Sequence, residues 1–281
     1  MFRNNYKKYG YNSFIFGSSR TLAFQPTSWH SYLSNEDVPF MFDASGESIY
    51  GVYIKLKYLD SLNVNIKNAL LIICRDVTFK YFSNYEGHLY VKDPNVSGES
   101  RLKFHLEFVE AYLAPRFLAN FYLFKILGEY KPYMKGYIEN RKITMDTLTN
   151  EINIIDQEEE ITKYPNQYYL KRKDIFYERS GEKIDSVNRI NKSQLFMLKE
   201  IKRIFCKHNT NFKVVISPLY EQVKFNKFDI NILKQIFQHN LYDFSGKNSF
   251  TDNKYNYYEN SHYRPIVGDS ILKLIYEPLP K

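Results

Sequence analysis

Phe14-Ile15-Phe16-Gly17-Ser18-Ser19-Arg20 is the stretch on which the reading of this chain turns. Ser13-Phe14-Ile15-Phe16 is short, apolar and aromatic, and it stops abruptly at Gly-Ser-Ser. A buried parallel strand entering a tight turn has this pattern. Open α/β sheets bind ligands beyond the carboxyl ends of their strands, so Ser19 stands where a reactive side chain is useful. A serine hydroxyl becomes a nucleophile only with a base beside it. The segment Tyr257-Tyr258-Glu259-Asn260-Ser261-His262-Tyr263-Arg264-Pro265 offers one in His262. Glu259, three residues earlier, is an acid able to orient that histidine.

Outward from this turn the sequence alternates strands and helices. Residues 38–43 predict a second strand, followed by a turn at Ala44-Ser45-Gly46-Glu47-Ser48 and a helix with Ile49, Val52, Tyr53, Leu56 and Leu59 at helical spacing. Ala69-Leu70-Leu71-Ile72-Ile73-Cys74 is a continuous apolar run and predicts the central strand. The alternation resumes at Asn191, with a helix capped by Ser193, a fourth strand over 212–218, a helix capped by Asp229, a fifth strand over 241–246 and a last helix over 266–276. This pattern predicts a flavodoxin-like three-layer α/β/α sandwich around a parallel sheet of about five strands. The chain reads as a single domain, 1–281, with a large insertion at 77–190 after the third strand. Within it, residues 101–127 predict a helix with Phe104, Phe108, Val109, Tyr112, Leu113, Phe117 and Phe121 on an apolar, core-facing side, kinked or divided at Pro115. Residues 129–185 predict a cap or lid, part hairpin and part loop.

Composition narrows the class. With 44% hydrophobic residues the chain is long and apolar enough to bury a core and is not a disordered polymer. The net charge of +8 comes from scattered rather than clustered lysines and no nucleic-acid motif accompanies it, so no nucleic-acid partner is expected. Cys74 and Cys206 both lie in apolar patterns and read as buried free thiols. No Cys/His cluster has metal-ligand spacing, and no metal or organic cofactor is expected. The start, Met1-Phe2-Arg3-Asn4-Asn5-Tyr6-Lys7-Lys8, is polar and basic and reads as neither a signal peptide nor a membrane span.

Gly17-Ser18-Ser19-Arg20 resembles the first block of the SGNH/GDSL hydrolases, with Ser18 where the family has Asp. Glu259-Asn260-Ser261-His262 resembles their last block, Asp-x-x-His, with Glu in place of Asp. The resemblance implies a catalytic serine, Ser19, a base, His262, and an acid, Glu259. It implies an oxyanion hole from the Ser19 amide and a glycine after the second strand, matched by Gly46, which also reads as a plain turn glycine. It implies a helix after Ser19, beginning near Thr21, with amides directed at the serine. The family's oxyanion-hole Asn after the third strand is replaced by Cys74-Arg75-Asp76, leaving Arg75 as a substitute donor. The implied activity is an esterase or acyltransferase working on short, acetyl-type esters of a carbohydrate. The Gly-Ser-Ser-Arg start and long insertion are most similar to the bacterial envelope-glycan branch, and the aromatic insertion is expected to overhang Ser19 and stack on sugars. Envelope members carry an N-terminal anchor, so the expected location is extracytoplasmic if one precedes this chain and cytoplasmic if the chain stands alone. Two other readings use the same residues: a glycan- or protein-binding module with a decayed triad, and a phosphate-binding flavodoxin-like protein using the 17–20 turn as an anion cradle.

Overall fold

In the computed structural model Ser13–Phe16 form β1, and all four residues are buried. The structure describes residues 1–81, 83, 90–138 and 140–277. Four more strands join β1: β2 (Pro39–Met41), β3 (Asn68–Ile73), β4 (Asn211–Ile216) and β5 (Leu241–Asp243). Their order is β2-β1-β3-β4-β5, and every neighbouring pair is parallel. This is the doubly wound order expected from the alternation, and the chain leaves β1 at the switch point where such folds bind ligands.

Successive side chains of a strand point to opposite faces, and the two faces here carry separate cores. Phe14 and Phe16 of β1, Leu71 and Ile73 of β3, and Val214 and Ile216 of β4 face one layer. That layer is built by α1 (Phe2–Tyr9), α2 (Ile49–Ser61), α5 (Lys192–Lys207) and α6 (Lys227–Phe237). Ile15, Leu70, Ile72 and Val215 face the other, where α7 (Pro265–Tyr276) contributes Val267, Ile271, Leu272 and Ile275 beside Trp29. Each fully buried Phe or Ile is worth about 1.5–3 kcal/mol, so the parallel strands are fixed from both sides. At Gly268 an added Cβ would lie 1.8 Å from the Ala23 carbonyl oxygen; a bare backbone is what lets α7 seat against the segment after Ser19.

The insertion between β3 and β4 departs from its sequence reading in two places. Pro115 does divide the helical stretch, into α3 (Arg101–Leu113) and α4 (Pro115–Leu127), but no residue of either helix is buried. The two pack on each other, so the core-facing role expected for their aromatics is not realised. Farther on, Ile143–Met145 and Ile152–Ile154 form a hairpin whose turn reaches the outer edge of β2, where the Met41 amide donates to the Thr149 carbonyl at 2.8 Å. That closes part of an otherwise open sheet edge. Tyr168-Tyr169-Leu170 belongs to a short helix, Pro165–Leu170, with proline in its first turn.

Smaller corrections have local causes. α5 is capped by Asn191, two residues before Ser193, in a reciprocal box with Gln194, and α6 by Asn226, three residues before Asp229, because each asparagine side chain accepts from the amide three residues on. Cys74 is buried as expected, whereas Cys206 is exposed on the outer side of α5. Among the described residues no helix is long and apolar enough to cross a membrane.

Candidate active site

The turn that ends β1 is built around Gly17. Its φ is 151°, and a Cβ there would meet the Ile72 carbonyl oxygen and Thr21 Cγ2, each at 2.9 Å. Only glycine lets the chain turn this close to β3. The next residues, Ser19–Ala23, form the helix expected after Ser19 as a short 3-10 turn that opens at Ser19 itself. Ser19 opens it, partly exposed, while Ser18 is buried with its hydroxyl toward Cys74 Sγ at 3.6 Å.

Tyr257–Glu259 and His262–Tyr263 pair as antiparallel strands with Glu259 directly opposite His262. Asn260 and Ser261 make the two-residue turn between them, so the acid and the imidazole are cross-strand neighbours by construction. His262 Nε2 lies 2.7 Å from Ser19 Oγ. His262 Nδ1 is hydrogen-bonded to Glu259 Oε1. The second Glu259 oxygen accepts from the Ser261 amide at 3.0 Å and the Ser261 hydroxyl at 2.7 Å. Burial pushes the Glu259 carboxyl up, but the hydrogen bond and charge of His262 and the two Ser261 bonds outweigh it and hold it down at about 2. The three residues read from the two ends of the sequence are thus one continuous hydrogen-bonded chain, able to carry a proton from the serine to the imidazole.

Three sets of contacts fix the hairpin against the Ser19 turn. Arg20, nearly buried, donates from Nε to the Ser261 carbonyl at 2.9 Å and from Nη2 to Asp76 Oδ2 at 2.7 Å. It joins the residue after Ser19, the hairpin turn and the segment after β3. Beneath them Cys74 Sγ stands 3.4 Å from Ser217 Oγ, which is 3.0 Å from the Tyr263 hydroxyl. From the insertion, the hydroxyls of Tyr168 and Tyr169 donate at 2.8 Å to the carbonyls of Tyr258 and Tyr257. Glu158 accepts from the Tyr258 hydroxyl and from Nε and Nη2 of Arg264. Sequence reasoning gave Arg20 only a place in a possible anion cradle and assigned no role in bracing the site to Tyr168 or Glu158. The adjacency of Arg20 to Ser19 was the one available signal.

The other expected residues have different surroundings. Gly46 adopts a left-handed φ of 59° in the loop after β2, and that loop meets the Ser19 turn where the Ala44 amide donates to the Gly17 carbonyl at 3.3 Å. Arg75 is not brought to Ser19 and His262. Its Nη1 donates to Asp185 at 2.6 Å and its Nε and Nη2 to Glu221, so the guanidinium is committed to two carboxylates in place of an oxyanion.

Asp43, at the end of β2, is held by the Thr21 hydroxyl at 3.0 Å, and Thr21 also meets the Ser18 carbonyl at 2.8 Å. Burial pushes its carboxyl up to about 6 against the opposing charge of Lys55 and the Thr21 bond. Just beyond, the fully buried Glu47 carboxylate is bridged by Lys55 at 2.5 Å and Lys92 at 2.7 Å. Among the described residues no three His, Cys, Asp or Glu side chains are grouped to hold a metal ion. No protein-family model matches the chain, and no curated protein matches its sequence.

Proposed function

We propose that this chain is a serine esterase of SGNH type that removes short acyl groups, acetyl above all, from a carbohydrate through an acyl-enzyme. The observation that carries the reading is the unbroken contact from Ser19 Oγ through His262 to Glu259. In this mechanism His262 takes the Ser19 proton as Oγ attacks the ester carbonyl, then passes it to the departing sugar hydroxyl. Water activated by the same imidazole cleaves the acyl-serine. Glu259 stays ionised and stabilises the imidazolium formed in each half-reaction. The Ser19 amide, at the opening of its 3-10 turn, is the first oxyanion donor, and the loop carrying Gly46 is the nearest source of a second. One such donor is typically worth ~10²–10³ in rate. A sugar hydroxyl that reached the acyl-enzyme before water would turn the same chemistry into O-acetyl transfer.

The carbohydrate part of the reading draws on the aromatic insertion: a cavity of about 580 Å³, which none of Ser19, Glu259 or His262 lines, is bordered by Phe176, Tyr177, Tyr220, Arg179, Lys254 and Asp252, among others. Flat aromatic faces beside cationic and amide groups suit hydroxylated rings better than a long alkyl chain. Intact Ser–His–Glu contacts favour an enzyme over a module whose triad has decayed.

The test combines a fluorophosphonate probe with a set of acetyl, butyryl and octanoyl nitrophenyl esters and an acetylated polysaccharide. The protein is expected to be labelled at Ser19, to prefer acetyl, and to release acetate from the glycan. Ser19→Ala should lose labelling and turnover with its melting temperature unchanged. Labelling that survives in Ser19→Ala, or a preference for octanoyl with no acetate release, overturns the proposal.

A further inference from the structure

We infer that the helical hairpin of α3 and α4 is the surface through which two copies of this chain pair, an inference independent of the chemistry at Ser19. In α3 the residues Leu102, Leu106, Val109 and Leu113 follow one another at steps of four, three and four. That is the a/d spacing of a seam made to meet another helix. The seam is unmet: these four side chains are between 47% and 69% exposed. α4 adds Tyr122, Leu123, Ile126 and Leu127, with Ile126 79% exposed.

The packing of the two helices on each other leaves the α3 seam aside: Tyr112 of α3 meets Phe117 and Phe121 of α4 at 5.9 Å and 6.4 Å between ring centroids. With about 180 Å² per fully exposed side chain of this size, the eight residues leave roughly 800 Å² open to water. Single chains rarely expose that much large apolar surface, and it equals the ~800 Å² per partner of a stable interface.

Charge selects a second copy as the occupant. Along α3 the basic residues Arg101 and Lys103 come first and the acidic Glu107 and Glu110 follow. A two-fold axis across the seam runs the two α3 helices antiparallel. It sets the basic start of each against the acidic stretch of the other. A lipid surface would have to take Glu107 and Glu110 down beside the apolar stripe, at a cost that the paired helices avoid.

The test is analytical ultracentrifugation of the full chain over a wide range of concentration, with hydrogen exchange at its two ends. A species of twice the 33.7 kDa chain mass is expected, dissociating on dilution, with amides of residues 102–127 more protected at high concentration. The Leu106→Asp/Val109→Asp variant should be monomeric with unchanged circular dichroism. Ile126→Asp, on the other helix, is a second and milder variant and should weaken the dimer. A wild-type chain that stays monomeric throughout overturns the inference, as does a dimer untouched by either variant. Monomer that sediments with phosphatidylglycerol vesicles also overturns it and makes lipid the occupant.

Discussion

Glu259→Gln keeps the length of the side chain and removes the charge behind His262. The wild-type carboxyl is held at about 2, against an ordinary 4.5, by forces that overcome its burial. That gap corresponds to about 3 kcal/mol of preference for the ionised form. Glu259 is 30% exposed, and screening by solvent reduces the usable part to about 2 kcal/mol. If this is lost where the imidazolium develops, turnover falls about 30-fold. Steady-state hydrolysis of 4-nitrophenyl acetate should therefore show kcat reduced by about that factor, with KM little changed. The same pair sets a stability term. Because the folded-state value is lowered, the stabilisation is present above the ordinary 4.5 and is lost as pH falls through about 2, so at neutral pH the variant should also melt lower. A Glu259→Gln enzyme with wild-type kcat and wild-type melting temperature would refute the role given to this carboxylate.

Three further outcomes follow from the surroundings of the site. Tyr168→Phe leaves the Tyr258 carbonyl without its donor and should cost about 1–3 kcal/mol by denaturant unfolding, with a fall in kcat because the strand carrying Glu259 loosens; full activity at reduced stability would show that the insertion does not brace the site. Gly268→Ala drives a Cβ into the Ala23 carbonyl and should cost about 1–3 kcal/mol or more, measured by the shift in melting temperature. Asp43, whose folded-state value is raised to about 6, should make the wild type lose stability as pH climbs from about 4 to about 6, and Asp43→Asn should remove that part of the slope in calorimetry across the same range.

The parts of the molecule that were legible in the sequence are those where one local rule dominates. β1 and β3 are buried on both faces, so they read as short, nearly continuous apolar runs. Glu259 and His262 lie within one tight hairpin, so their spacing alone announced the pair. Where two rules compete the reading failed. Phe108, Tyr112 and Leu113 have the composition of a core, yet the helix that carries them projects from the domain. Sequence pattern reports that a face is apolar and says nothing of what covers it. Arg75 stood where the family's Asn would be, but an arginine between Asp185 and Glu221 is drawn to carboxylates brought in from 110 and 146 residues away. Arg20 was hidden for the same reason, since its partners Ser261 and Asp76 are distant in sequence and meet only in the folded sheet.

The separation of 243 residues between Ser19 and His262 has a consequence for the chain while it is being made. Synthesis runs from the N-terminus at about 5–20 residues per second, so Ser19 leaves the ribosome some 10–50 seconds before its base exists. During that interval the hydroxyl is an ordinary alcohol. Glu259 and His262 can find each other as soon as their hairpin emerges. Their meeting with Ser19 requires β3 and β4 to have zipped in parallel and Arg20 to have caught the Ser261 carbonyl. Under the proposed function, reactivity is thereby tied to synthesis having passed His262, and a chain stopped before it carries a serine without its base.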